Sequence, residues 1–121
     1  MNIALIAHDN KKELMAEFCL AYVGVLKNHH LCATASTAAY VMETTGLEVE
    51  KLFSGVEGGV QQIEARITYN EIDVVLFFDD TSKRKRYMEE VTPVMCLCDA
   101  NNIPVATNIA PLFFLIISKA A

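Results

Sequence analysis

The chain lacks any excess of positive charge: Lys and Arg number 10 against 15 Asp and Glu, a formal net charge of -5. Nucleic acid and anionic membranes reward a basic face, so neither is expected as a main partner. The one basic cluster, Lys83 to Arg86, reads as a solvated helix start or loop. Also missing is the paired C-x-x-C spacing of a zinc site or redox pair. The four cysteines, Cys19, Cys32, Cys96 and Cys98, lie in apolar patterns and read as buried free thiols, and no metal is expected. No apolar run is long enough to span a bilayer, the longest being Ile109 to Ile117. Without a charged leader followed by an apolar run and a small-residue cleavage site, a cytoplasmic protein is expected. No linker or low-complexity break divides the chain. Residues 1–121 therefore read as a single domain, large enough to bury about two-thirds of its unfolded surface without a disulfide or metal staple.

What is present is an alternation of strand-like and helix-like patterns. Asn2 to Ala7 is a short apolar run that suits a buried parallel strand. Leu14, Met15, Phe18, Tyr22, Val25 and Leu26 recur at helical spacing and predict one amphipathic helix. A strand at Leu31 to Ala33 ends in Thr34; Ser36 or Thr37 is a good N-cap for a helix that reaches about Thr44 and closes at Gly46. Leu47 to Phe53 reads as a strand, and the SGVEGG segment opens a helix with Val56, Val60, Ile63 and Ile67 on one stripe. Ile72 to Phe78, behind a turn at Tyr69 and Asn70, is the clearest strand. A helix through Val91 to Ala100, a strand at Ile103 to Thr107 and an apolar helix from about Ile109 complete the chain. Strand and helix alternating five times predicts a three-layer α/β/α, Rossmann-type domain with a five-stranded, mostly parallel sheet.

Hydroxyl- and glycine-bearing segments sit where the strands end: HDNKK (His8 to Lys12), ATAST (Ala33 to Thr37), SGVEGG (Ser54 to Gly59) and ATN (Ala106 to Asn108). A parallel sheet gathers the carboxyl ends of its strands along one edge, where helix N-termini supply N–H donors and positive dipole ends. These segments would converge on one anion-binding crevice, which points to a small phosphorylated metabolite. Lys12 can reach back across the strand end as a flexible point charge. Thr34, Ser36 and Thr37 offer hydroxyls and backbone donors, and Ser54 with Gly55, Gly58 and Gly59 repeats the arrangement with glycines that admit close backbone approach. Each motif alone is weak, a solvated lysine, a cap, a turn. His8 and Asp9 are either a paired acid and base at the first strand end or an aspartate capping a helix beside a packed histidine.

Taken in order, ALIAHDNKK, LCATAST, LFSGVEGGVQQI, EIDVVLFFDD and NNIPVATNIA resemble the methylglyoxal synthase family, whose segments run AHD-x-x-K, ATGTTG, SGPMGGDQQ, IDVLIFFWDP and NIPVATN. Order and spacing are kept over nearly the whole chain. The resemblance implies proton removal beside the carbonyl of dihydroxyacetone phosphate, then expulsion of phosphate to give methylglyoxal, with no cofactor. It implies a phosphate cradle of Lys12, Thr34, Ser36, Thr37, Ser54 and Gly55, with His8 and Asp9 near the reacting carbons. Homo-oligomers, commonly hexamers, are implied as well.

The departures matter equally. The family's catalytic aspartate follows the double glycine, and that place holds Val60, which accepts no proton. The place of the family's site histidine holds Tyr87, and the aspartate near it becomes Glu90. A phosphate-contacting arginine of the family would lie beyond Ala121. Asp9, or Glu57 one helical turn before Val60, could take over as base. The alternatives are a synthase with a relocated base, a non-catalytic module that senses phosphate or a sugar phosphate, and an assembly subunit whose apolar end, Leu112 to Ile117, needs a covering surface.

Overall fold

A computed structural model describes residues 1–54, 57–78 and 84–107, with Asp9 and residues 84–91 described by their backbone alone. Five strands, β1 (Asn2–Ala7), β2 (His30–Ala33), β3 (Val49–Lys51), β4 (Val74–Phe78) and β5 (Val105–Ala106), form one sheet in the order β3-β2-β1-β4-β5. Every pairing is parallel, so the sheet is wholly rather than mostly parallel. The crossovers that parallel pairing requires are α1 (Lys12–Ala21) behind a 3-10 turn at Asp9–Lys11, the short α2 (Val23–Leu26), α3 (Ala35–Thr45), α4 (Gly59–Thr68) and α5 (Arg84–Ala100).

The strands are apolar throughout because both faces of the sheet are covered. Ile3, Leu5 and Ala7 of β1 face a layer that includes Met15, Phe18 and Cys19 of α1 and Ala38 and Val41 of α3. Ala4 and Ile6 face the other layer, with Ile63 and Ile67 of α4 and Val94 and Cys98 of α5. Odd and even strand positions thus serve different cores, as the two-residue period of a strand dictates. The helices after β1 and β2 cover one face and those after β3 and β4 the other. The chain changes face at the β1–β4 pair, which opens a crevice at the carboxyl ends of those strands.

Several expectations are corrected. The first helix is two: Tyr22 leaves helical geometry (φ -111°, ψ 24°), and Gly24, costly in a helix interior, follows it in α2. The third helix opens earlier than expected. Thr34, extended at φ -61° and ψ 154°, is its N-cap, so Ser36 and Thr37 lie inside the first turn. β3 and β5 are shorter than the apolar patterns that mark them. Cys19, Cys32 and Cys98 are buried thiols, whereas Cys96 is exposed, because Val94 and Cys98 share the buried stripe of α5 and Cys96 lies between them, off it. Gly46 (φ 74°) and Asn70 (φ 58°) turn the chain where expected. Val56, Gly55, the apolar helix from Ile109 and the segment Leu112 to Ile117 lie outside the described residues. Among the described residues no helix is long and apolar enough to cross a membrane.

On the α4 side, Arg66 donates through both terminal nitrogens to the Glu50 carboxylate, Nη1 to Oε1 at 2.9 Å, and the His30 ring lies 2.9 Å from the same Oε1. The fork ties α4 to β3 and β2. The hydrogen bonds from Arg66, then from His30, pull the Glu50 carboxyl from its ordinary 4.5 to about 2. A carboxyl depressed in the fold stabilises it above its unfolded value, and that stabilisation is lost as pH falls from 4.5 towards 2. Glu50 is 37% exposed, so solvent screening limits the pair to about 1 kcal/mol or less. In urea unfolding, Glu50→Gln is expected to be less stable than the native chain at neutral pH, and the two curves should converge on acidification through that window.

Candidate functional site

Adjacent backbones bring the strand ends together. His8 N–H donates to the carbonyl of Phe78 at 2.9 Å, and Leu52 N–H donates to the carbonyl of Ala33 at 2.9 Å. Those two bonds align the ends of β1 with β4 and of β2 with β3. His8, 8% exposed, begins the turn into α1, its carbonyl accepting from Lys11 N–H at 2.8 Å. Asp9 starts the 3-10 turn. Lys12 is the first residue of α1.

From there Lys12 Nζ crosses to α3 and donates to Ser36 Oγ at 2.5 Å. This contact joins two candidate residues that are 24 positions apart in sequence. Ser36 is exposed, and Lys12 is half-buried. The Thr34 hydroxyl donates to that of Thr37 at 3.5 Å, and both residues are buried. Thr34 makes no side-chain cap to its own helix, so the first-turn N–H groups of α3 and the ammonium of Lys12 present positive charge at one place. An anion there would meet donors from two helices, which is the arrangement helix N-termini provide for phosphate.

Beyond β3, Ser54 holds its own loop in shape. Its carbonyl accepts from Glu57 N–H at 3.0 Å and from Gly59 N–H at 2.8 Å, and its hydroxyl accepts from Glu57 N–H at 3.2 Å. Gly58 sits at φ 101°, which favours glycine. Gly59 is needed for space. A Cβ on it would lie 2.0 Å from the carbonyl oxygen of Phe53 and 2.9 Å from Thr34 Cγ2. The N-terminus of α4 thus rests directly on the ends of β3 and β2. Val60 is half-buried and packs against the cluster that contains Ile63 and Ile67, as its place on the stripe implies. Glu57 is exposed.

The strand-end edge therefore gathers His8, Lys12, Thr34, Ser36, Thr37 and Ser54 from three successive strand–helix junctions. Gly55, Asp79 and Asp80, and the side chains of Asp9, Tyr87 and Glu90, lie outside the described residues. Two contributors escaped the sequence reading. Gln62 Oε1 accepts from Phe53 N–H at 2.7 Å, and Ala35 N–H donates to Phe53 carbonyl at 3.3 Å. A second concavity of about 240 Å³ lies at the opposite edge, between Lys27, His29 and His30 on one side and Gly46 and Glu48 on the other. Mixed charge and the carbonyl end of α3 make it poorer for an anion.

Comparison with known proteins places these features in a family. Residues 15–107 match the family described as MGS-like domain. The chain is 49% identical over 116 residues to a protein named methylglyoxal synthase from Caldicellulosiruptor saccharolyticus, a match spanning 96% of this chain and 82% of that one. A methylglyoxal synthase of Alkaliphilus metalliredigens is 48% identical over 96% of this chain and 87% of its own length. Among solved structures, the crystal structure of methylglyoxal synthase from Elizabethkingia anophelis NUHP1 is similar with a TM-score of 0.84 and 35% identity, covering 95% of this chain and 76% of that one.

The Gly59 contact yields a paired expectation. Phe53 O is backbone and cannot swing aside, so Gly59→Ala should lower unfolding stability by about 1–3 kcal/mol, the range for overpacked sites. Gly24 has open space around a built Cβ and a negative φ within α2. Gly24→Ala should therefore be neutral or stabilising by up to about 1 kcal/mol. Urea midpoints of the two variants, measured side by side, check the pair.

Proposed function

The chain belongs to the family of MGS-like domains, and from that premise we propose that its strand-end edge binds dihydroxyacetone phosphate, or inorganic phosphate, as the cradle of a methylglyoxal synthase. The observation that carries this reading is the reach of Lys12 Nζ to Ser36 Oγ across the N-terminus of α3. Lys12, Ser36 and the first-turn N–H groups of α3 take the phosphate oxygens, with Thr34, Thr37, Ser54 and Gly55 completing the cradle. The carbonyl carbon and its hydroxymethyl neighbour then lie toward the end of β1, beside His8 and Asp9.

On bound dihydroxyacetone phosphate, Asp9 as base removes a proton from the hydroxymethyl carbon. The resulting enediolate pushes its electron pair toward the neighbouring carbon and the C–O bond to phosphate breaks. Phosphate leaves with the electrons of that C–O bond, and the enediolate's pair becomes a new C=C bond as the former hydroxymethyl carbon closes to an aldehyde. The enol that remains takes up a proton at its methylene carbon, gives up its O–H proton and becomes methylglyoxal. His8 donates a hydrogen bond to the oxygen on which charge develops. A cradle that holds the breaking C–O bond aligned accelerates the elimination by positioning alone.

A second reading is favoured by Val60. Its side chain packs on the apolar cluster of α4, where the resemblance places a carboxylate. A domain that keeps the cradle without that carboxylate binds phosphate or a sugar phosphate and senses it without turnover.

Phosphate binding is expected to raise the melting temperature of the native chain, and Lys12→Ala should weaken the phosphate dissociation constant by about tenfold to a hundredfold, the worth of one charge-assisted hydrogen bond. Unchanged affinity in that variant would remove the cradle. Methylglyoxal release from dihydroxyacetone phosphate that disappears in Asp9→Asn would support the synthase with Asp9 as base. No release by the native chain, with release appearing in Val60→Asp, would support the sensor. The gain expected from restoring a carboxylate there is about 10²-fold to 10⁴-fold.

A further inference from the structure

Phe53 is a residue whose backbone groups reach both helix N-termini at the strand-end edge. Its N–H is taken by Gln62 Oε1 of α4 at 2.7 Å, its carbonyl by Ala35 N–H of α3 at 3.3 Å, and Gly59 packs onto the same carbonyl oxygen. β3 has already ended at Lys51, and among the described residues no further strand lies outside it in the sheet. An N–H that faces outward from an edge strand has no neighbouring strand to take it. Gln62 supplies the acceptor from a side chain. Gln62 is itself held in the second half of the first turn of α4, its N–H donating to Gly58 carbonyl at 3.0 Å.

We propose that Gln62 is a positioning residue for the phosphate cradle: it fixes the Leu52–Phe53 peptide plane, and with it the direction in which Phe53 hands the chain on, so that the Phe53 carbonyl in the next plane meets the first N–H of α3 and Ser54 follows in its bonded loop. The inference rests on the phosphate reading of the site and deepens it. With Ala35 N–H occupied by Phe53, the donors an anion meets in α3 are the next ones along, at Ser36 and Thr37. With that plane released, rotation about the Phe53 dihedrals lets its carbonyl turn away from Ala35 N–H and lets Ser54 drift from the cradle. Gln62 acts on the ligand through Phe53 and Ser54 and does not itself touch it. Its neighbour Gln61 is exposed and makes a natural control on the same helix turn.

The test is calorimetric titration of inorganic phosphate into the native chain, Gln62→Met and Gln61→Met, with hydrogen exchange at the Phe53 amide followed in parallel. Methionine keeps the length and helix propensity of glutamine and removes the acceptor. Gln62→Met is expected to weaken phosphate binding about fivefold to tenfold, the scale of one hydrogen bond, and to speed exchange at Phe53. Gln61→Met should stay within about twofold of the native chain in both readouts. A merely structural role would lower the melting temperature of Gln62→Met while leaving its phosphate affinity, measured well below that temperature, unchanged; this outcome overturns the inference. Absence of phosphate binding by the native chain would instead overturn the phosphate reading itself, and the inference with it. Fast Phe53 exchange in the native chain would overturn the positioning role even where phosphate binds.

Discussion

The close approach of Gly59 to the carbonyl of Phe53 is the constraint on which the rest of the strand-end edge depends. A side chain at that position would have to occupy the space of a backbone oxygen. Because glycine leaves it open, α4 can start directly above the ends of β3 and β2. Its axis then lies over the sheet so that Ile63 and Ile67 meet Ala4, Ile6 and Val75. The same proximity puts Gln62 within reach of Phe53 N–H and the loop of Ser54 beside the start of α3. Packing and site geometry are thus two consequences of one missing Cβ.

Topology does the remaining work. A wholly parallel sheet in the order β3-β2-β1-β4-β5 sends every strand end to one edge, and the change of face at β1 and β4 keeps helices from covering the middle of it. Two helix N-termini and a lysine arrive there from junctions that are far apart in sequence. Lys12 and Ser36 meet because β1 and β2 pair in register, Leu5 beside Ala33, so that their following helices begin side by side. Burial keeps three of the four thiols out of this chemistry: it pushes Cys19 up to about 12 and Cys32 and Cys98 up to about 11. At neutral pH they are protonated core groups.

Much of this was legible in the chain itself. Ile3 to Ala7 and Val74 to Phe78 are apolar runs too short for buried helices and bounded by polar residues, and both lie in central strands, the second beginning at Val74 rather than at Ile72. The candidate residues at their ends follow once the strands are recognised. The choice of cap in ATAST was not legible, because Thr34, Ser36 and Thr37 are all good caps and only the extended geometry of Thr34 decides among them. The break at Tyr22, just ahead of Gly24, was hidden because the apolar spacing runs straight through it. Gln62 could not be told from Gln61, since two adjacent glutamines carry the same chemistry and only the helix phase turns one toward Phe53. Cys96 was nearer to hand: Val94 and Cys98 stand four apart, and a residue between them leaves the buried stripe.

The central claim is that anion binding occurs where the N-terminus of α3 meets Lys12. Titration of inorganic phosphate into the isotope-labelled chain, followed by amide chemical shifts, tests it most directly. The account predicts saturable shifts largest at Ser36 and Thr37, with smaller ones at Lys12, Ser54 and Gly59. Shifts confined to the opposite edge, around His29 and Gly46, or no saturable shifts at all, would contradict it.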